Sequence, residues 1–190
     1  AAGRVRETVG RDPATLAFLF LTPHHRGAEG KASAAVHRIL GADALVGCTG
    51  AGVLADGREL EGEPGVAVMA GVLPGAEART FHVTQEDLED EGTDWAERLG
   101  VPPASKPSFV LFPDPYSIDA MRLLAALDGA YPAAVKGGGV SSGGPGPGTH
   151  VLLRGAEVHH AGAGGLAITG GAEIRPLVSQ GCRPIGPRMV

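Results

Sequence analysis

Aromatic residues are scarce in this chain: five Phe, two Tyr and one Trp amount to 4% of 190 residues. Hydrophobic residues still make up 43%, so a core can form, but it has to be aliphatic and rich in alanine. Cysteine is nearly absent. Cys48 and Cys182 stand far apart with no C-x-x-C spacing, which supports no disulfide framework and fits a reduced, cytosolic setting. No apolar run approaches the roughly 20 residues of a membrane span. No basic segment followed by an apolar one opens the sequence as given, so no signal peptide and no membrane partner are expected. Positive charge is also short. A net charge of −5 and a pI near 5.8 argue against sequence-independent nucleic-acid binding, which needs a basic surface.

Glycine, by contrast, is abundant at 31 residues, and it concentrates in two places. Ala44–Gly52 reads as a short apolar strand running into glycines, and so does Ala133–Gly148, with Gly137, Gly138 and Gly139 in a row. Glycine permits positive φ and close backbone approach at an entropic cost. Such a run therefore implies a tight chain crossing or a ligand meeting bare backbone N–H groups.

The remaining elements follow from pattern. Thr15–Leu21 is a nearly continuous apolar run, expected as a strand buried on both faces. Residues 29–40 carry Ala32, Ala35, Val36, Ile39 and Leu40 at helical spacing, with Gly41 as the expected C-cap. Asp56-Gly57 between Val53-Leu54 and Glu59-Leu60 predicts a tight hairpin. Strands are expected over Gly65–Val72, Ala76–Val83 and Ser108–Phe112. Thr93 is positioned to cap a short helix, and Ser117 to cap one running through Leu127. The acidic stretch Glu86–Glu91 reads as a solvated face.

The two halves repeat one another in order. Leu19–Pro23 parallels Leu111–Pro115, Val53–Leu60 parallels Val151–Val158, Gly65–Met69 parallels Gly165–Thr169, and Gly75–Arg79 parallels Gly171–Arg175. This order predicts a duplicated β-α-β-β-β unit within one α/β (α+β) domain covering residues 1–190. The two copies span about 14–83 and 107–179, joined by a linker at 84–106. Strand–helix–strand implies a right-handed parallel crossover, and the hairpins add antiparallel strands. The expected architecture is a mixed sheet or two packed sheets with helices outside and a cleft between the repeats.

Gly47-Cys-Thr-Gly-Ala-Gly52, Gly137–Gly139 and above all Ser179-Gln-Gly-Cys-Arg-Pro-Ile-Gly-Pro187 resemble the N-terminal domain of the FIST family (F-box and intracellular signal transduction) over nearly the whole chain. The resemblance implies a sensory, small-ligand-binding domain, with amino acids as the proposed ligand class and a C-terminal domain after the junction at 179–190. It supplies no catalytic residue.

The candidate site is read from the residues. Gly137, Gly138 and Gly139 can form an anion nest, with hydroxyls from Ser141, Ser142 and Thr49 and charge from Lys136; a strand crossing is the alternative. Asp114, after a buried strand, can accept a ligand ammonium or simply form the turn before Pro115. Cys48 is either a strand-end nucleophile or a small buried thiol. Cys182 and Arg183 line the same cleft or pack the junction. His24-His25 and His159-His160 are adjacent pairs that point to opposite faces and chelate poorly, so no metal is expected. The reading is a cytosolic sensor of a small polar ligand with no cofactor. The alternatives are a Cys48 enzyme and a non-catalytic scaffold or interaction domain.

Overall fold

The computed structural model describes residues 1–10 and 12–177. In chain order these form α1 (Ala2–Val9), β1 (Leu16–Leu21), α2 (Glu29–Leu40), β2 (Ala44–Thr49), β3 (Gly52–Ala55), β4 (Arg58–Glu61), β5 (Val66–Gly71) and β6 (Ala76–Val83). Then come α3 (Gln85–Glu89), α4 (Trp95–Leu99), β7 (Ser108–Pro113), α5 (Ala120–Ala130), β8 (Lys136–Gly138), β9 (Leu152–Arg154), β10 (Glu157–His159) and β11 (Ala163–Gly170). Two single 3-10 turns, Pro23–His25 and Pro103–Ser105, complete the described chain.

Two sheets carry the architecture. The first has the order β10-β9-β2-β1-β5, the second β6-β11-β7-β8, and β3-β4 form a separate hairpin. β1 pairs parallel to β2 and antiparallel to β5, and β7 pairs parallel to β8 and antiparallel to β11. A helix, α2 or α5, links each parallel pair, and a hairpin, β3-β4 or β9-β10, precedes the antiparallel strand. The duplication expected from sequence is therefore present in space.

The parallel strands β1, β2 and β7 are apolar on both faces because they are covered on both. Phe18, Val46, Phe112, Leu166 and Ile168 fill the space between the sheets, with the rings of Phe20 and Phe112 edge to face at 5.5 Å. Leu19, Leu21, Val36, Leu40 and Leu45 form the core between the first sheet and α2. Phe109, Leu111, Leu123, Leu127 and Tyr131 do the same under α5. Alternation along a strand sends successive side chains to the two cores. The helices lie outside the sheet pair.

The copies exchange strands. β6, from the first copy, joins the second sheet against β11, and the β9-β10 hairpin, from the second copy, joins the first sheet against β2. Periodicity cannot show such an exchange, because a strand looks the same whichever sheet it joins.

Several local expectations hold. Gly41 ends α2 in the left-handed region (φ 58°), and Asp56 (φ 53°) and Gly57 (φ 71°) make the β3-β4 turn. Others are corrected. α5 begins three residues after Ser117, with Asp119 as its cap, because Ser117 is held by Asp114 and Gly162 instead. Asp94, not Thr93, caps α4, accepting from the N–H groups of Ala96 and Glu97; the Thr93 hydroxyl donates to the Asp87 carbonyl. Within 84–106, besides the short helix expected near Thr93, a second one, α3, starts at a reciprocal capping box of Thr84 and Asp87 and buries none of its residues. Gly137 and Gly138 lie inside β8 rather than in the loop after a strand.

Candidate functional site

The two glycine-rich segments meet. The Ser142 N–H donates to the Thr49 carbonyl at 3.0 Å, and the Ala51 N–H donates to Ser142 Oγ at 3.0 Å. Thr49 Oγ1 accepts from the Val151 N–H at 3.0 Å, and the Ser141 N–H donates to the Pro113 carbonyl at 2.9 Å. The loop after β8 thus ties the carboxyl ends of the two parallel pairs together. Thr49, Asp114, Ser141 and Ser142 are brought into one junction, and the first three are buried there.

Asp114 anchors that junction. Its Oδ1 lies 2.9 Å from His150 Nδ1, its Oδ2 accepts from Ser117 Oγ, and both Asp114 and His150 are almost wholly inaccessible. His150 Nε2 lies 3.3 Å from the Gly144 carbonyl, and the Tyr116 ring leans on the imidazole at 5.3 Å. The carboxylate is satisfied by protein groups, as burial of a charge requires. His150 was not among the expected residues. It follows the glycine- and proline-rich loop, and nothing local in the sequence brings it to Asp114.

Cys48 faces the core between the sheets, 5% exposed. Burial pushes its thiol up to about 12, so a thiolate is absent at neutral pH and the nucleophile reading loses its chemistry. Lys136 serves α5. Its Nζ donates to the Tyr131 and Ala134 carbonyls at 3.0 and 3.1 Å and lies 2.7 Å from Asp128, an arrangement suited to a helix C-terminus. Cys182 and Arg183 lie outside the described residues.

Of the histidine pairs, His159 stacks on His82 with ring centroids 3.9 Å apart, and His24 lies 3.3 Å from the Thr22 hydroxyl. Among the described residues no group of three or more His, Cys, Asp or Glu has metal-binding geometry.

Two cavities adjoin these segments. One, of about 340 Å³, lies between β8 and the first turns of α5, over the backbone of Gly137–Gly139, with walls from Leu111, Met121, Leu123 and Leu124. Neither Thr49 nor Asp114 lines it. The other, of about 450 Å³, lies between the copies. Arg26, Gly27, Glu29 and Gly30 line it from the first copy, and Gly148, Thr149, Val151, Val158 and His160 from the second.

Glu29 is the unusual group in this second cavity. It is 8% exposed, yet its carboxylate makes no hydrogen bond or ion pair among the described residues. It sits in the first turn of α2, where a negative charge suits the helix dipole. A dipole does not occupy the carboxylate lone pairs, which stay open toward the cavity. Sequence reading places Glu29 only as the start of a helix. The signal available there was its contrast with the apolar face that follows, and burial could not be read from it.

The sequence matches the FIST N domain family over residues 15–190. It is 34% identical over 186 residues to an uncharacterized protein of Mycobacterium tuberculosis strain H37Rv, and 32% identical over 186 residues to one of Mycobacterium bovis. Each alignment covers 98% of this chain and 47% of the relative, so the chain spans about half the length of the curated relatives it matches. No solved structure matches it. Among the described residues, no helix is long and apolar enough to cross a membrane.

Proposed function

This chain belongs to the FIST N domain family, whose domains are sensory modules of signal transduction, and on that premise we propose that it binds a small, ammonium-bearing polar ligand, of the amino-acid class, in the cavity between its two copies. The observation that carries the proposal is the Glu29 carboxylate, which opens onto the wall of that cavity with no partner among the described residues although the residue as a whole is 8% exposed. An ammonium donor supplies the missing partner for the carboxylate. The Arg26 guanidinium, on the same wall, suits the carboxylate of the same ligand. A volume of about 450 Å³ falls within the range of small-molecule sites.

The cavity is also wired to the junction. Gly148 and Thr149 line it, and the next residue, His150, holds Asp114. A ligand that binds one arrangement of this loop better than another shifts the junction with it, and this is how binding becomes a signal. The site lies in the cytoplasm on this reading, as the cysteine usage and acidic composition suit.

A thermal-shift screen of amino acids, primary amines and simple carboxylates tests the assignment. Ligand at about 100 times its Kd stabilises by ~2.7 kcal/mol, which for a chain of this size raises Tm by roughly 5–10 °C. Amino acids should produce that rise and Glu29→Gln should remove it. Equal stabilisation by carboxylates that lack an amine would overturn the role of Glu29.

A further inference from the structure

In the first sheet, the outer edge of β2 is occupied. β9 pairs with it antiparallel, placing Arg154, Leu153 and Leu152 opposite Val46, Gly47 and Cys48. The Thr49 N–H donates to the Val151 carbonyl, and the Gly155 N–H donates to the Leu45 carbonyl. Leu153 is 1% exposed and packs into the core under α2.

The counterpart of β2 in the second sheet is β8. Gly47 pairs with Leu19 in β1, and Gly138 pairs with Leu111 in β7. Gly50 donates to Leu21 as Ser141 donates to Pro113. β8 is an edge strand whose outer side pairs with no strand among the described residues. Val135 and Gly139 turn their main-chain groups inward to Phe109 and Leu111. By alternation, Lys136, Gly138 and Val140 turn theirs outward. The 340 Å³ cavity under α5 lies where a counterpart of Leu153 would sit, and its walls are mainly aliphatic. Met121, 74% exposed, and Val140, 56% exposed, lie at its rim.

We propose that the open edge of β8 is a docking seat for one antiparallel β-strand of a further polypeptide segment, which places an aliphatic side chain opposite Gly138 in the cavity beneath α5. Strand addition takes its affinity from the main-chain groups of the edge and its specificity from the side-chain pocket. The three glycines leave that edge without side chains in the way. The chain's own β3-β4 hairpin does not cross to it; only Gly50 and Ala51 separate β3 from β2, whereas 13 residues connect β8 to β9. The relatives are about twice as long as this chain, so each holds as much polypeptide again from which such a strand can come. This inference does not depend on the Glu29 cavity.

The test uses the occupant of the equivalent seat. A peptide with the sequence of residues 149–156 is titrated into the 190-residue chain and followed by backbone and methyl NMR. Saturable shifts at Gly138, Val140, Met121 and Leu124 are expected. The same peptide with Leu153→Asp should bind at least about tenfold more weakly, a loss of ~1.4 kcal/mol. Met121→Glu in the protein, an exposed position that leaves the core intact, should weaken the parent peptide to a similar degree. No shifts, shifts confined to other surfaces, or indifference to Leu153→Asp would overturn the proposal. So would a β8-to-β8 dimer of the free chain in sedimentation.

Discussion

A side-chain carbon at Gly138 would overlap the carbonyl oxygen of Leu111, its partner in the parallel strand β7. Gly47 stands in the same relation to Leu19 in the other copy. Gly138 adds a second constraint, a φ of 142° that L side chains rarely adopt. Close chain approach thus explains both of these glycines. For Gly137 and Gly139 the added carbon meets nothing within 4 Å. Gly138→Ala and Gly47→Ala should each cost about 3 kcal/mol or more, because backbone rather than a flexible side chain has to move. Gly139→Ala should stay within ~1 kcal/mol of the parent. Urea denaturation of the three variants separates these values.

Cys48 should behave as a buried thiol. With little exposure and a thiol pushed up to about 12, alkylation of the native protein should track unfolding, and denaturant should accelerate it by orders of magnitude. Fast, selective labelling of the native chain would restore the nucleophile reading.

Asp114 and His150 should be coupled. Asp114→Ala leaves a buried imidazole beside an empty position, at a cost of about 3 kcal/mol or more. Asp114→Asn keeps an acceptor and should cost less. In a double-mutant cycle with His150→Gln the single losses should fail to add, with an interaction of about 1–3 kcal/mol. Additive losses would mean that the junction is not held by this pair.

His82 predicts a pH dependence. Burial is the main cause that lowers its pKa, the stacked His159 adds repulsion, and the hydrogen bond to the Ala161 carbonyl opposes both. The folded state therefore favours the neutral ring. Between the lowered folded value and the ordinary value near ~6.5, the unfolded chain binds more protons, so stability rises with pH across that window. The contribution is fully present above about 6.5 and is lost as pH falls through the window. His82→Gln should flatten this part of the stability curve, as read by thermal melts from mildly acidic to neutral pH.

Much of this architecture was legible in the sequence because it rests on local pattern. The apolar run of β1, the Asp56-Gly57 turn and the Gly41 cap are short-range signals. The duplication is visible because Leu19–Pro23 and Leu111–Pro115 keep order as well as composition. The site was less legible because its parts are joined by long-range packing. Thr49, Asp114, Ser141 and Ser142 do converge, but on one another and on His150. Glu29 resembles any acidic residue in a first helical turn until the second copy covers it. The open edge of β8 becomes visible only when the filled edge of β2 is laid beside it.

The most direct test of the ligand account is calorimetric titration of an amino acid and its des-amino analogue into the parent chain and Glu29→Gln. The account predicts saturable binding of the amino acid to the parent alone. Binding of the des-amino analogue as tight as that of the amino acid, or binding unaffected by Glu29→Gln, would contradict it.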